Sequence, residues 1–563
     1  MPQLKKLTLL HMLNYISEKF GNDIALADLD SPPISFNQFK EKVDSIAKFL
    51  KEQGIITGDR VAILSENKVN WGIAYFAITV IGAIGVPIMT EFQESEVNHV
   101  LRHSEAKAIF VSTKHYDKIA DQNFENLQTK ILLDDFSIIP PDTKADILKQ
   151  VMTEGKKEFA KIKEAALKFV GVLPDEVNEN DTALILYTSG TTGHSKGVML
   201  SHKNILANAL SVSKLVDLGK GDRMLSLLPL FHTMESTLGF VLPLMVGASA
   251  HYLDKPPTPA VLLPALKKVK PTAMLAVPLI IEKIYRARVL PEINKKSLVR
   301  NLYKVNYFRK KINRMAGKKL IETFGGEIRL LCIGGAALAP DVEEFLKEAK
   351  FPYAMGYGLT ETSPLLTGTD PQHTRLKSSG YPIVNVEIRI DNPDPETGEG
   401  EILARGPNVM LGYYKDAERT KQALTEDKWF HTGDLGYMDK DDYVYIRGRI
   451  KNVIIGPNGK NIYPEEIESV LNEMPYVQES IVHERVGDLV AKVYLNYEQI
   501  DADFERSRMD DAAARKLIGK ILEDTMKELN QRIASFSRIK KIIEQVEPFE
   551  KTPTAKIKRY LYI

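Results

Sequence analysis

Leu186-Tyr187-Thr188-Ser189-Gly190-Thr191-Thr192-Gly193-His194-Ser195-Lys196-Gly197-Val198-Met199 continues an apolar run, Thr182-Ala183-Leu184-Ile185, that reads as a buried strand. A Gly/Ser/Thr cluster with one lysine in that setting is a polyphosphate-binding loop. Glycines let backbone N–H groups approach an anion closely, hydroxyls add short donors, and Lys196 supplies fixed positive charge, so the stretch suits the tail of ATP. The nucleoside-triphosphate loop G-x-x-x-x-G-K-[ST] does not fit, because counting from Gly190 puts Ser195 where its second glycine belongs. The hydrolase elbow G-x-S-x-G does match, as Gly193-His194-Ser195-Lys196-Gly197, and would make Ser195 a nucleophile. That elbow needs a strand running into its first glycine, whereas Thr188 to Thr192 interposes a polar loop; the serine hydrolase is the remote alternative. A solvated linker is disfavoured by the apolar segments that flank the cluster closely on both sides.

Working outward, 563 residues exceed what one hydrophobic core usually supports, so two or more domains are expected. Seventy-five basic against seventy-four acidic side chains leave no global field to draw nucleic acid or an anionic membrane, so any such binding must be local. Cys332 is the single cysteine, which excludes an internal disulfide framework and is compatible with a reducing cytoplasm. It follows Ile328-Arg329-Leu330-Leu331 and is placed in a strand. The amino terminus is too interrupted for a secretory signal, and a cytoplasmic protein is expected. Trp71 to Met89 is nearly uncharged and long enough to suggest a membrane span, but Gly72, Gly82, Gly85 and Pro87 divide it. It reads as a buried helix over about 71–81, a glycine turn and a core strand, leaving at most peripheral membrane contact, with monomer and homodimer both open.

The fold class is α/β. Apolar runs at Arg60 to Leu64, Ala108 to Val111, Ile131 to Leu133 and Met224 to Leu228 alternate with helical stretches, which argues for α/β layers. Lys144 to Lys168 reads as a charged, solvent-facing helix. From about 381 to 445 the texture turns to short β-rich segments with turn clusters, a smaller β subdomain. Tyr463-Pro464-Glu465-Glu466 is a helix start with proline and acids in the first turn. We therefore expect a large N-terminal domain over 1–449 and a small, mobile α+β C-terminal lid over 450–563.

Five stretches in register, namely Tyr187 to Val198, Gly356-Tyr357-Gly358-Leu359-Thr360-Glu361-Thr362, Trp429-Phe430-His431-Thr432-Gly433-Asp434-Leu435-Gly436, Gly448-Arg449-Ile450-Lys451 and Lys551-Thr552-Pro553-Thr554-Ala555-Lys556, resemble the adenylate-forming (AMP-binding) superfamily, and within it the long-chain fatty-acid CoA ligases. The resemblance spans essentially the whole chain. It implies an acid-thiol ligase that joins a fatty acid to AMP with loss of pyrophosphate and then passes the acyl group to CoA. A carboxylate is a poor acyl donor because its leaving group would be oxide, whereas AMP leaves readily; for the first step the protein need only align nucleophile and phosphorus and neutralise charge. The same chemistry on an aryl or medium-chain acid, or with an acyl-carrier protein thiol as acceptor, is the alternative.

The resemblance also implies roles by position. Thr188, Ser189, Gly190, Thr191, Thr192, Gly193 and Lys196 would hold the β- and γ-phosphates of ATP. Gly334, Gly335 and Ala336, with Tyr357, Gly358 and Thr360, would line the nucleotide pocket. Thr188 and Glu361 would hold Mg²⁺, a hard cation that prefers oxygen ligands. Asp434 would take the ribose hydroxyls with Arg449 nearby, His232 would lie beside the acyl carboxylate, and Lys556 would bring its charge from the lid to the reacting groups. Lys451 corresponds to the hinge about which the lid turns. Phe231 to Val246 and Met355 to Leu366 would wall the acyl pocket. Three departures stand out against this pattern: His194 where relatives often carry proline, Ile455 where some carry a lysine, and Ala555 where the wider superfamily more often has glycine.

Overall fold

The computed structural model describes the chain except residues 1, 3, 141–142, 146–176, 189–194, 254, 256, 456–460, 486 and 552–556. The charged helix expected from Lys144 to Lys168 lies almost wholly outside the described residues.

Two large sheets dominate. Over the described residues, one has eight strands, with Lys196–Ser201, Thr182–Thr188, Ile84–Pro87, Arg60–Leu64 and Ala108–Val111 side by side. The other has nine and runs through Leu365–Gly368, Tyr353–Gly358, Leu330–Ile333, Ala273–Ala276, Arg223–Ser226, Ser249–Tyr252 and Ile24–Asp28. The central strands of both are parallel. Parallel strands are covered on both faces, which is why they appear as unbroken apolar runs. The two-residue period of a strand distributes them: Ala273 and Leu275 point into one hydrophobic cluster, Met274 and Ala276 into the next.

Helices Leu9–Phe20, Phe36–Glu52, Val69–Val80 and His202–Val212 join a cluster shared with strands of both sheets. The helix Val69–Val80 is buried on nearly all sides, and a Cβ at Gly72 would come within 2.9 Å of the Phe240 ring. Close helix packing of this kind needs a glycine. Gly82, at φ 74°, then turns the chain into the strand Ile84–Pro87. The apolar stretch from Trp71 to Met89 is thus a helix, a turn and a strand inside the body. Among the described residues no helix is long and apolar enough to cross a membrane.

A four-stranded antiparallel sheet, Glu387–Asp391, Gly400–Arg405, Phe430–Met438 and Val444–Arg449, follows the large sheets. Beyond it, helices Pro464–Asn472 and Asp511–Arg532 pack with the strands Val477–Arg485, Asp488–Leu495 and Lys541–Gln545 around a hydrophobic cluster of their own. A separate core is what lets a segment move as a unit. Pro464 stands at the first helical position with Glu465 and Glu466 behind it, where a fixed φ and negative charge both favour helix initiation.

Candidate active site

Strands Thr182–Thr188 and Lys196–Ser201 pair antiparallel, and Thr188 lies opposite Lys196 at the mouth of the hairpin. The intervening Ser189, Gly190, Thr191, Thr192 and Gly193 lie outside the described residues. Ser195 leads directly into the strand Lys196–Ser201, and no helix starts behind it. A nucleophile elbow requires a helix directly after the serine, so the hydrolase reading is ruled out.

Lys196 reaches across to Glu361, with Nζ 2.6 Å from Oε1, while the Tyr413 hydroxyl donates to the same oxygen at 3.0 Å and lies 2.9 Å from Nζ. The ammonium also sits 4.4 Å from the centre of the Tyr413 ring. Glu361 is buried, and burial alone would raise its carboxyl, but the Lys196 ammonium outweighs it and holds the group below the usual carboxylate range. Burial and the adjacent carboxylate push the Tyr413 phenol up, so it stays a neutral donor. Among the described residues, the buried Thr188 hydroxyl has no hydrogen-bond partner. An orphaned oxygen and a held carboxylate are a fitting donor set for a hard divalent cation, which keeps other positions for phosphate and water.

The turn that carries Glu361, Thr360–Thr362, is clamped from two sides. Asn208 donates to the carbonyls of Thr362 and Leu365 at 3.4 and 2.7 Å, and Asn408 to the same pair at 2.8 and 3.0 Å. The Met410 amide donates to the Glu361 carbonyl at 2.8 Å. Every buried carbonyl satisfied in this way fixes the backbone from which the glutamate projects.

Four residues earlier on the same segment, Tyr357 begins a second cluster. Its hydroxyl donates to Asp434 Oδ2 at 2.6 Å, and Arg449 Nε meets Asp434 Oδ1 at 2.7 Å. Asp434 and Arg449 are register partners on neighbouring strands, and Arg449 also donates to the Thr432 carbonyl. Burial, and next the Asp434 charge, raise the Tyr357 phenol well above its ordinary value. Gly334 and Gly335 follow the strand Leu330–Ile333 at its C-terminal end, and a Cβ on Gly334 would stand 3.3 Å from the Gly356 carbonyl oxygen. Gly335 takes φ 88°, and Ala336 beside it is exposed. Gly358 and Thr360 flank the same loop, half-buried. Glycines at the carboxyl ends of parallel strands leave the open crevice in which α/β sheets bind ligands.

His232 is half-buried against Phe231, at 4.5 Å between ring centres, and its carbonyl accepts the Ser236 amide and hydroxyl at the start of a π-helix, Met234–Val241. The supposed acyl-pocket segment from Phe231 to Val246 is this π-helix and the short helix Leu242–Val246, its side chains mostly in the core. Cys332 lies in the strand Leu330–Ile333, and burial pushes its thiol up to about 12, the reverse of what a catalytic thiol needs.

Lys451 is exposed in a single 3-10 turn, Ile450–Asn452, directly after the last strand of the four-stranded sheet. The chain beyond it leans back on that sheet: Arg447 pairs with Glu399 and with Glu466, both at 2.7 Å, and the Tyr463 hydroxyl donates to Glu399 at 2.6 Å. Lys556 lies outside the described residues. Tyr413, Asn208 and Asn408 escaped the sequence reading. Their signal is tertiary, since Tyr413 comes near Lys196 through pairing of Gly412–Tyr413 with Met199 and Val198.

Residues 15–414 match the family described as AMP-binding enzyme. Over 97% of this chain and 84% of the relative, it is 26% identical to the long-chain-fatty-acid–[acyl-carrier-protein] ligase AEE15 of Arabidopsis thaliana. It is 27% identical to the long-chain-fatty-acid–CoA ligase FadD15 of Mycobacterium bovis, over 90% of this chain and 86% of that protein. Its fold is similar to that of the anthranilate CoA ligase AuaEII in complex with anthranoyl-AMP, with a TM-score of 0.76 at 22% identity over 100% of this chain and 97% of the other.

Proposed function

The chain belongs to the AMP-binding enzyme family, an adenylate-forming, acid-thiol ligase that uses ATP, Mg²⁺ and CoA, and from that premise we propose that it activates a fatty acid, long-chain by preference, and hands the acyl group to CoA. The observation that carries the reading is the convergence of Thr188, Lys196, Glu361 and Tyr413 at the mouth of one hairpin. Support for a long-chain acid comes from the two long-chain relatives, which differ in their acceptor thiol.

In this reading Thr188 and Glu361 hold the cation, whose contribution is to neutralise charge on the phosphate oxygens. Lys196 exchanges its partner: the ammonium that neutralises Glu361 turns to the phosphates once the carboxylate has another counter-charge. A lysine is a suitable point charge for this because its three donors carry no fixed plane. Asp434, oriented by Tyr357 and Arg449, accepts the ribose hydroxyls, and the glycines at 334, 335 and 356 leave room for the base. His232 stands at the edge of the carboxylate's position, and Lys556 joins from the lid for adenylation only. Rotation about Lys451, at the boundary between 1–449 and 450–563, would break the Arg447–Glu466 and Tyr463–Glu399 contacts and admit the thiol.

Thioester formation assayed across aryl, medium-chain and long-chain acids, with CoA and with holo-acyl carrier protein as acceptors, tests the assignment. The best rate is expected for a long-chain acid with CoA; preference for an aryl acid or for the carrier protein would replace it. Lys556→Ala should slow adenylate formation about 100-fold or more, the scale of losing one group that stabilises transition-state charge, and leave thiolysis of supplied acyl-adenylate nearly intact. Equal loss in both half-reactions would discredit the two-position lid.

A further inference from the structure

Between Glu292 and Glu322 the chain carries ten lysines and arginines and no acidic residue, in a protein whose net charge is +1. This stretch forms helices Ser297–Tyr303 and Asn306–Thr323, which lie on the outside of the nine-stranded sheet's helical cover. The first has no buried residue, and the second buries Asn313, Gly317 and Leu320 alone.

The inner side is accounted for. Gly317 abuts Ala349 of the helix Pro340–Ala349, where a Cβ would meet the Ala349 carbonyl at 2.6 Å. Arg309 pairs with Glu344 and Glu348 at 2.9 and 2.7 Å, and Asn313 donates to Glu348 at 2.8 Å. The neighbouring acids are therefore spent on the buried edge, and the outward charge is left uncompensated by that helix.

The outer side pairs this charge with exposed apolar bulk. Leu298 is 69% exposed, Val305 50%, Tyr307 63%, Phe308 40% and Met315 68%. Phe308, Lys311 and Met315 follow one another at helical spacing on one face, and Lys311 lies 4.6 Å from the Tyr307 ring centre. Lys304, Lys310, Arg314, Lys318 and Lys319 are all exposed around them. A merely solvated helix would show the cations without an aromatic pair at its tip, and large exposed apolar groups clustered among cations mark an interaction site.

We propose that helices Ser297–Tyr303 and Asn306–Thr323 form a docking surface for an anionic lipid bilayer, with Tyr307, Phe308 and Met315 entering the headgroup region and the surrounding lysines and arginines contacting lipid phosphates. Interfacial helices combine these two components, and each works where the other is present. A second copy of the chain would bring the same positive charge against itself. An acidic protein would satisfy the cations but gives no account of five exposed apolar side chains. The inference goes beyond the choice of acid, because vesicle binding is measured without substrate.

The test is co-sedimentation of the full-length protein with vesicles of equal parts phosphatidylcholine and phosphatidylglycerol, and with phosphatidylcholine alone. Binding to the anionic vesicles that weakens with salt is expected, with little to the neutral ones. Lys310→Glu/Lys311→Glu/Arg314→Glu should cut it by more than tenfold, at roughly fivefold for each cation removed. Phe308→Ser/Met315→Ser should cut it severalfold, and Lys516→Glu, an exposed lysine outside the patch on the helix Asp511–Arg532, should not. Acid-dependent pyrophosphate exchange in vesicle-free solution should be unchanged in all three, which shows that they fold. Equal binding to both vesicles, no binding to either, wild-type binding by the patch variants, or capture of acyl carrier protein without vesicle binding would each overturn the proposal.

Discussion

Glu361 and Glu235 are both buried, 6% and 1% exposed, yet the protein treats their charge in opposite ways. Around Glu361 a lysine and a tyrosine converge on one oxygen, and the carboxyl is held ionised below its ordinary range. Glu235, the second residue of the π-helix behind His232, has neither oxygen hydrogen-bonded among the described residues. Burial pushes its carboxyl up to about 8, and the Ser226 hydroxyl and Leu228 backbone ease this only in part. The same side chain is thus held as an anion beside a counter-charge and pushed toward the neutral acid where burial prevails. Desolvation is common to the two sites; the Lys196 counter-charge is what separates them.

The largest effect expected is on Glu361→Gln. Amide for carboxylate removes the charge that pairs Lys196 and, in the proposed reaction, the cation; adenylation should fall by about 100- to 1000-fold in pyrophosphate exchange. Near-normal exchange would place the cation elsewhere. Glu235→Gln should do the opposite kind of thing, raising stability without touching Glu361 or Lys196. A carboxyl whose folded pKa of about 8 exceeds the ordinary 4.5 contributes stability fully present below 4.5 and lost as pH rises towards 8. The slope is at most about 1.4 kcal/mol per pH unit, so thermal melts of the glutamine variant and wild type should coincide near pH 4.5 and separate up to pH 8. For Glu361 the sign reverses: its lowered pKa contributes stability present above 4.5 and lost as pH falls through the folded value.

Much of this contrast was invisible in the sequence. The strand Thr182–Thr188 ahead of the glycine and hydroxyl cluster was legible, as were Arg60–Leu64 and Ala108–Val111, because burial leaves an unbroken apolar run. The run read as Met224 to Leu228 stops as a strand at Ser226, because Asn67 takes the Ser226 hydroxyl, the Leu228 carbonyl and the Leu230 amide and bends the chain toward His232. No local pattern signals a π-helix, and a lone glutamate in an apolar stretch gives no sign of whether it will be charged. Tyr413 is 217 positions from Lys196, and strand pairing alone explains why they meet.

Two smaller changes sharpen the comparison from the Glu361 side. Asn408→Ala leaves the Thr362 and Leu365 carbonyls with one donor fewer in a buried turn, and should cost about 1–3 kcal/mol in denaturant unfolding. Tyr413→Phe removes one hydrogen bond to Glu361 and keeps the ring under Lys196; an effect of about 1 kcal/mol, seen as a roughly fivefold rise in KM for ATP with kcat nearly kept, is expected. A loss of kcat instead would show that Tyr413 acts on the reacting groups.

The most direct test of the central claim is incorporation of radiolabelled pyrophosphate into ATP by the full-length enzyme, with magnesium, without any thiol, and with or without a long-chain fatty acid. Exchange that requires both the acid and Glu361 is predicted. Exchange that proceeds equally without acid, or that survives Glu361→Gln at the wild-type rate, would contradict it.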